Sequence, residues 1–226
     1  MLLSILIPTL ESRRASFLRL YQRLDRQIVQ NNACSDVEIL VLEDGGQHSI
    51  GKKRNALLQR AAGRFVVFVD DDDDVSDDYV RLITGALWER PDVDCIGIKG
   101  QVTFRGRHPR TLIYSLQYDH YSTREGDYVR PPQHITPIRR DIAIRYPFAD
   151  TSYSEDYDWA LQMRSDGALR HEYFIDEILY YYFSRRRWAY QRLLDCTERV
   201  RHRLGLRLVN RVRIRRKLAA LLAKDA

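Results

Sequence analysis

Blocks of apolar residues separated by polar ones predict alternating strands and helices over the first 70 residues. Three apolar runs, SILIP at 4–8, VEILVL at 37–42 and FVVFV at 65–69, are too short for buried helices and include the β-branched residues that strands favour. Between these runs, apolar side chains recur every three or four positions over 18–29 and 56–61, as they do along one face of a helix. Because crossovers between parallel strands are right-handed, the order β-α-β-α-β predicts a parallel sheet with helices on its faces.

The rest of the chain shows less regular patterns. A helical stripe covers 80–88, and the apolar segments 94–104 and 175–183 predict two further strands. Residues 134–147 pass from a turn into a short helix. Residues 153–161 predict another helix that begins with acidic residues.

The sequence makes specific predictions for one segment and for one glycine. Residues 105–133 are polar and rich in tyrosine and basic residues, which predicts a mobile hairpin or a lid near the substrate. Gly63 directly follows the second predicted helix, so it is expected to end that helix in the left-handed conformation that glycine favours.

Acidic residues follow two of the predicted strands directly. Asp70 to Asp74 form a run of five after FVVFV, and Glu43 and Asp44 follow VEILVL. The carboxyl ends of parallel strands share one edge of the sheet, where ligands bind. Five adjacent carboxylates repel one another unless a cation neutralises them, and hard oxygen ligands suit Mg²⁺, Mn²⁺ or Ca²⁺. The pattern predicts a metal site that holds a phosphorylated ligand; the alternative is a solvated acidic turn before a helix at Ser76.

Basic residues open the second predicted helix. Lys52, Lys53 and Arg54 stand near its amino terminus, where unpaired backbone amides already favour negative charge. This arrangement predicts a cradle for a diphosphate, and the alternative is an ordinary solvated face. Their position between two acidic strand ends favours the cradle.

Composition limits the class of protein. The 226 residues suffice for one domain with a full core, or one domain with an appendage. The chain has no apolar run of about 18 residues, and its apolar start lacks a basic leader, so we expect neither a membrane span nor a signal peptide. Three cysteines, far apart and without a CxxC pair, argue against a disulfide framework or a zinc site and favour the cytosol.

The charge is distributed unevenly along the chain. The total is +6, but residues 185–226 hold 14 Lys and Arg against three Asp and Glu, which leaves the first 184 residues mildly acidic. Apolar residues in this basic tail recur mostly every four positions and predict a helix. Such a tail predicts a polyanionic partner, either DNA or an anionic membrane surface.

Five motifs taken together resemble the family-2 glycosyltransferases with the GT-A fold. They are SILIPT, VLEDGG, GKKRNALLQRAAGRFVVFVDDDD, HITPIRRD and SEDYDWAL, in the family's order and spacing, and they cover roughly 2–183. The resemblance implies an α/β fold with a mostly parallel, Rossmann-like sheet and helices on both faces. It also implies a nucleotide-sugar-binding half at 1–104 and an acceptor half at 105–184, with the basic helical tail at 185–226 outside it.

The matched motifs imply which residues contact the nucleotide sugar. Pro8 and Thr9 match the first-strand end that borders the nucleotide, Asp44 falls where the family contacts the base, and Arg54 with Asn55 matches a pair that faces base and diphosphate. The set assigned to the nucleotide sugar by the resemblance and the local charges is Pro8, Thr9, Glu11, Glu43, Asp44, Gly45, Lys52, Arg54, Asn55, Asp70 and Asp71.

The motifs also imply the metal ligands and the catalytic base. Asp70 and Asp72 match the Asp-x-Asp motif, the first near the ribose and the second on a divalent metal, Mn²⁺ or Mg²⁺. Many relatives add a late histidine, for which His134 is the first candidate here and His171 the second. Asp70 is a further candidate ligand. Asp156 matches the carboxylate that acts as base, with Glu155 beside it; the alternative is that both are helix-start acids that interact with the dipole.

The resemblance implies an inverting, metal-dependent transfer of one sugar, with UDP as the expected nucleotide. Two acceptors stay open: an envelope or lipid-linked glycan, and a hydroxymethylated base in DNA, as for short transferases of bacteriophages. The alternative function is an inactive GT-A-like adaptor that binds nucleic acid or membrane. The expected location is the cytoplasm, of a bacterial host if the chain is phage-encoded, or the periphery of its inner membrane.

Overall fold

The computed structural model describes residues 1–184, and the basic tail at 185–226 with its predicted helix lies outside them. The described strands are β1 (Leu3–Leu10), β2 (Val37–Asp44), β3 (Phe65–Phe68), β4 (Asp74–Val75), β5 (Cys95–Phe104), β6 (Arg107–Tyr114), β7 (Ser122–Arg124), β8 (Asp127–Arg130), β9 (Ile138–Arg139) and β10 (Glu172–Ser184). The helices are α1 (Arg14–Gln30), α2 (Ile50–Arg60), α3 (Tyr79–Glu89), α4 (Arg140–Ala143) and α5 (Glu155–Ser165), and a 3₁₀ turn covers Glu11–Arg13.

The sheet has the order β2-β1-β3-β9-β5-β6-β8-β7, with β10 paired to β4 and β5. Strand β1 is parallel to β2 and β3, so the predicted β-α-β-α-β half is confirmed. The two-residue strand β9 is antiparallel to both β3 and β5 and joins the two halves of the sheet. The sheet is therefore mixed, with a parallel first half that carries the acidic strand ends.

Burial explains why the sequences of β1 and β3 are mostly apolar. Every residue of β3 and the stretch from Leu3 to Ile7 in β1 is buried, because these strands have packed layers on both faces. On one side, α2 and α5 pack over the sheet. Their shared core includes Leu57, Phe68, Phe148 and Trp159. This core fixes the carboxyl end of β3 relative to the start of α5.

Residues 105–133 extend the sheet. Strand β6 is antiparallel to β5, β8 is parallel to β6, and β7 with β8 forms a hairpin, so the hairpin interpretation is confirmed for this part. The hairpin turns at Glu125 and Gly126, which have φ of 50° and 97°. Positive φ at both central residues is what the type I′ turn of a two-residue hairpin requires.

Gly63 has a different role from the expected one. It does not take a left-handed conformation, and α2 ends earlier, at Arg60. A side-chain carbon at Gly63 would lie 2.5 Å from the backbone N of Ser4 and 2.7 Å from the carbonyl carbon of Leu3. Glycine is needed here because the chain passes against β1, a close approach that any side chain would obstruct.

Within residues 1–184, no helix combines the length and the apolar character needed to cross a membrane.

Candidate functional site

The carboxyl ends of β1, β2 and β3 bring the predicted acidic groups to one edge of the sheet. The register pairs Thr9 with Glu43 in neighbouring strands, and Asp70 follows β3 at the same edge. A backbone bond of 2.8 Å from Phe68 N to the carbonyl of His134 brings His134 to this point as well. The edge is thus built from segments far apart in sequence.

The five aspartates do not share one environment. Asp71 and Asp73 are buried, whereas the side chains of Asp70 and Asp72 are 25% and 30% exposed. Asp74 pairs with Arg23 on α1. The run is therefore not a solvated acidic turn, because two of its carboxylates point into the protein and have protein partners.

Two residues hold Asp71: Thr9, near the end of β1, and Arg13, just after that strand. The Thr9 hydroxyl donates to its Oδ2 at 2.7 Å, and Arg13 Nη1 donates to its Oδ1 at 2.8 Å. The same Nη1 lies 3.3 Å from Asp72 Oδ2. Sequence reasoning did not identify Arg13, since a single arginine in a polar turn carries no periodic or motif signal.

Asp73 anchors the acidic turn to β10. The Tyr180 hydroxyl donates to it at 2.8 Å, and the backbone N–H of Phe183 donates at 2.9 Å. Burial raises the pKa of Asp73 well above its usual value, and the nearby Asp70 adds to that effect. These contacts fix the shape of the turn that presents Asp70 and Asp72.

Arg54 connects the acidic turn to the start of α5. It is fully buried, with Nη2 2.9 Å from Asp70 Oδ1 and Nη1 2.6 Å from Glu155 Oε1. Its guanidinium carbon lies 5.7 Å from the ring centre of Phe68 and 5.6 Å from that of Phe148. Burial would raise the pKa of Asp70, but Arg54 and His134 outweigh it and hold that pKa below its usual value.

The two acids at the start of α5 differ in exposure. Glu155 is 4% exposed and packs on Arg54, and burial raises its pKa to about 7 although Arg54 opposes the shift. The Asp156 side chain is 32% exposed. Ser154, just before them, has φ of 66°, a conformation that is uncommon for residues other than glycine and turns the chain into the helix.

His134 stands between the two partly exposed carboxylates. Its Nε2 lies 3.4 Å from Asp70 Oδ2, and its Nδ1 lies 3.6 Å from Asp156 Oδ2. The imidazole itself is buried. Both ring nitrogens thus face carboxylates. The expected role of His134 as a metal ligand stays a prediction.

A second ion pair lies at the end of β2. Lys53 Nζ donates to Asp44 Oδ1 at 2.8 Å and to the Thr9 carbonyl at 2.7 Å. The bond from Lys53 to Asp44, together with bonds from the backbone N–H groups of His48 and Gly46, holds the pKa of Asp44 below its usual range. Of the two lysines at the start of α2, Lys53 is therefore the one directed into the edge, while Lys52 is exposed.

The other predicted binding residues differ in burial and in their hydrogen bonds. Both polar atoms of the Asn55 side chain bond the backbone of Phe148, at 2.8 Å each, so Asn55 fixes the loop over Arg54. Pro8 is buried in β1. The residues exposed along the rim of the same edge are Glu11, Glu43 and Gly45. Contact of these residues with a nucleotide stays a prediction.

The carboxylates of the acidic turn fit one mode of metal binding. Within residues 1–184, no group of three or more His, Cys, Asp and Glu side chains is arranged to hold a metal by itself. Mg²⁺ is commonly bound through one or two carboxylates together with phosphate oxygens of a ligand. Asp72, with Asp70 beside it, supplies carboxylates of that kind at an exposed edge.

Comparisons with known proteins identify the fold. No family model and no characterised protein sequence matches the chain. Among solved structures, TarS of S. aureus in complex with UDP is similar, with a TM-score of 0.61 and 18% identity over 81% of this chain and 61% of that one. Glucosyl-3-phosphoglycerate synthase of Mycobacterium tuberculosis, in complex with Mn²⁺, UDP and phosphoglyceric acid, gives 0.54 and 14% over 92% and 80%.

The catalytic domain of Drosophila β1,4-galactosyltransferase 7 is also similar, with a TM-score of 0.50 and 15% identity over 79% of this chain and 66% of that one. The chain spans about three fifths of the length of the UDP-bound TarS structure. At these identities the likeness shows the fold alone. The chain has the GT-A fold, so the expected fold class is confirmed.

Proposed function

We propose that the protein is an inverting, metal-dependent glycosyltransferase that moves one sugar from a UDP-sugar to an acceptor hydroxyl. One observation carries the proposal: the His134 ring lies between Asp70, at the acidic turn, and Asp156, at the start of α5, with its two nitrogens 3.4 and 3.6 Å from their carboxylates. Asp70, the carboxylate expected on the donor side, therefore lies across one ring from Asp156, the carboxylate expected to act as base. UDP in TarS, and Mn²⁺ with UDP in the mycobacterial synthase, support a nucleotide-sugar donor.

The donor would lie along the carboxyl edge of β1, β2 and β3. Thr9, Asp44 and Lys53 form the nucleotide side of this edge, and Asp72 with Asp70 would hold Mn²⁺ or Mg²⁺ beside the diphosphate. Such a metal, when bound, acts as a Lewis acid that stabilises charge on the leaving diphosphate.

Asp156 would act as the general base. Its side chain is the more exposed of the two acids at the start of α5, so an acceptor hydroxyl can reach it. The acceptor oxygen would attack the anomeric carbon as its proton passes to the Asp156 carboxylate, and the bond to the diphosphate would break on the opposite face. This displacement inverts the anomeric configuration.

Glu155 would position the site and not take part in proton transfer. It is buried and bonded to Arg54, which also bonds Asp70. The pair therefore fixes the start of α5 against the acidic turn. The predicted catalytic role at this helix start is accordingly proposed for Asp156, with Glu155 holding the backbone next to it.

Tyr121, Tyr157 and Arg130 form an aromatic and cationic cluster near Asp156, and this cluster would line the acceptor side. The rings of Tyr121 and Tyr157 meet edge to face at 4.6 Å, and the guanidinium carbon of Arg130 lies 4.5 Å from the centre of the Tyr121 ring. A lipid-linked glycan and a nucleotide in DNA, the two expected acceptor types, both carry phosphate that suits an arginine. The charge of residues 185–226 supports a polyanionic acceptor or surface as well.

Replacing Asp72 by asparagine is expected to abolish stimulation of UDP-sugar hydrolysis by Mn²⁺, because the change removes a charged ligand of the cation. Hydrolysis is measured with increasing Mn²⁺ for the two proteins. Asp77→Asn, in an almost fully exposed carboxylate of the same acidic region, is the matched control and keeps the wild-type response. An Asp72→Asn protein with the wild-type metal response would refute the assignment.

A further inference from the structure

Arg13 places a permanent positive charge on the acidic turn. It is the last residue of the 3₁₀ turn Glu11–Arg13, directly after β1, so its backbone is fixed by the central strand of the parallel half. Its Nη1 lies 2.8 Å from Asp71 Oδ1 and 3.3 Å from Asp72 Oδ2. One nitrogen thus contacts two neighbouring carboxylates.

The two contacts differ in strength and in surroundings. Asp71 is buried and its second oxygen accepts from Thr9, so its bond to Arg13 is a short, fixed anchor. Asp72 is 30% exposed, and its contact with Arg13 is longer. Arg13 can therefore leave Asp72 and stay on Asp71 with a small movement of a side chain that is itself 42% exposed.

A metal on Asp72 would stand close to this arginine. A carboxylate oxygen lies about 2.1 Å from a bound Mg²⁺. With Arg13 Nη1 3.3 Å from Asp72 Oδ2, an ion on that oxygen would be within about 5.4 Å of the guanidinium nitrogen. Two cations at this distance on a partly exposed carboxylate repel each other.

We propose that Arg13 and the divalent metal compete for the Asp72 carboxylate. In the metal-free chain, Arg13 neutralises Asp72; when metal and nucleotide bind, Arg13 leaves Asp72 and remains on Asp71. This inference rests on the proposed metal site at Asp72. Arg13 thereby lowers metal affinity in the absence of nucleotide, and the diphosphate charge of the donor offsets that effect, so metal and donor bind together.

The test is a Mn²⁺ titration of the whole chain, with free Mn²⁺ followed by electron paramagnetic resonance, with and without UDP as probe. Arg13→Gln is expected to bind Mn²⁺ about threefold to tenfold more tightly than wild type without UDP, with a smaller gain when UDP is present. Arg13→Lys, which keeps the charge, is expected to stay close to wild type. If Arg13→Gln does not fold, Arg13→Met replaces it and keeps the aliphatic stem.

Arg23→Gln is the matched control. Arg23 pairs with Asp74 and Asp77 next to the same turn, at 3.2 and 2.9 Å, so the change removes the same charge without altering the contact between Arg13 and Asp72. Its Mn²⁺ affinity is expected to stay within about twofold of wild type, the range of a remote surface charge.

Unchanged or weaker Mn²⁺ binding by Arg13→Gln overturns the inference, as does an equal gain in Arg23→Gln, because total charge would then be the cause. If no variant binds Mn²⁺ even with UDP, both the competition and the metal assignment of Asp72 fall. Sugar transfer is measured separately as release of UDP, so a failed competition with intact transfer leaves the proposed function standing.

Discussion

Replacing Asp156 by asparagine is expected to lower turnover by roughly 10² to 10⁴, the usual contribution of a positioned general base. Asparagine keeps the shape of the side chain but cannot accept the proton of the acceptor hydroxyl. Donor binding should stay nearly intact, because the contacts of Lys53 with Asp44, of Arg54 with Asp70 and of Arg13 with Asp72 do not involve Asp156.

Turnover is measured as release of UDP, and donor affinity by calorimetry with UDP and Mn²⁺. Asp166→Asn is the matched control, since Asp166 is an exposed acid at the other end of α5, and it is expected to behave as wild type. A parallel collapse of donor affinity in Asp156→Asn would place Asp156 in the donor site instead.

Replacing Arg54 by methionine is expected to lower the free energy of unfolding by about 3–5 kcal/mol, the usual cost of removing one partner from a buried ion pair. Asp70 and Glu155 would lose their shared cation, and Glu155 is buried, so water cannot replace that cation beside it. Arg54→Lys should also destabilise, because an ammonium cannot reach both carboxylates in the fixed fork of a guanidinium.

Urea unfolding at neutral pH measures this effect. Arg60→Met is the control, because Arg60 is exposed at the end of the same helix and its loss should change stability by less than about 0.5 kcal/mol. Adding Glu155→Gln to Arg54→Met should restore part of the loss by removing one uncompensated charge. A loss below about 1 kcal/mol for Arg54→Met would mean that the network has little effect on stability.

The parallel half of the fold could be predicted from the sequence because each element carries its own periodicity. The runs of β1 and β3 are continuous since both faces are buried, and acidic residues directly after a strand must lie at its carboxyl edge. Strand β9 could not be predicted, because two residues carry no period. Its place between β3 and β5 depends on contacts distant in sequence.

The sequence indicates which residues come together at the sheet edge, but it does not indicate their contacts. The resemblance selected Arg54, but only the structure shows that it joins Asp70 to Glu155, which is 101 positions away in the chain. The choice between Lys52 and Lys53 depends on the rotation of α2, since adjacent helical residues point in different directions. Arg13 had no local signal, because its partners become neighbours only when the sheet forms.

Transfer from a nucleotide sugar is tested by incubating the whole chain with Mn²⁺ and a panel of nucleotide sugars and measuring the nucleoside diphosphate released. We expect release from at least one UDP-sugar, little release when EDTA removes the metal, and loss of release in Asp156→Asn. No release from any nucleotide sugar by a folded protein, or equal release by wild type and Asp156→Asn, would contradict the proposed function.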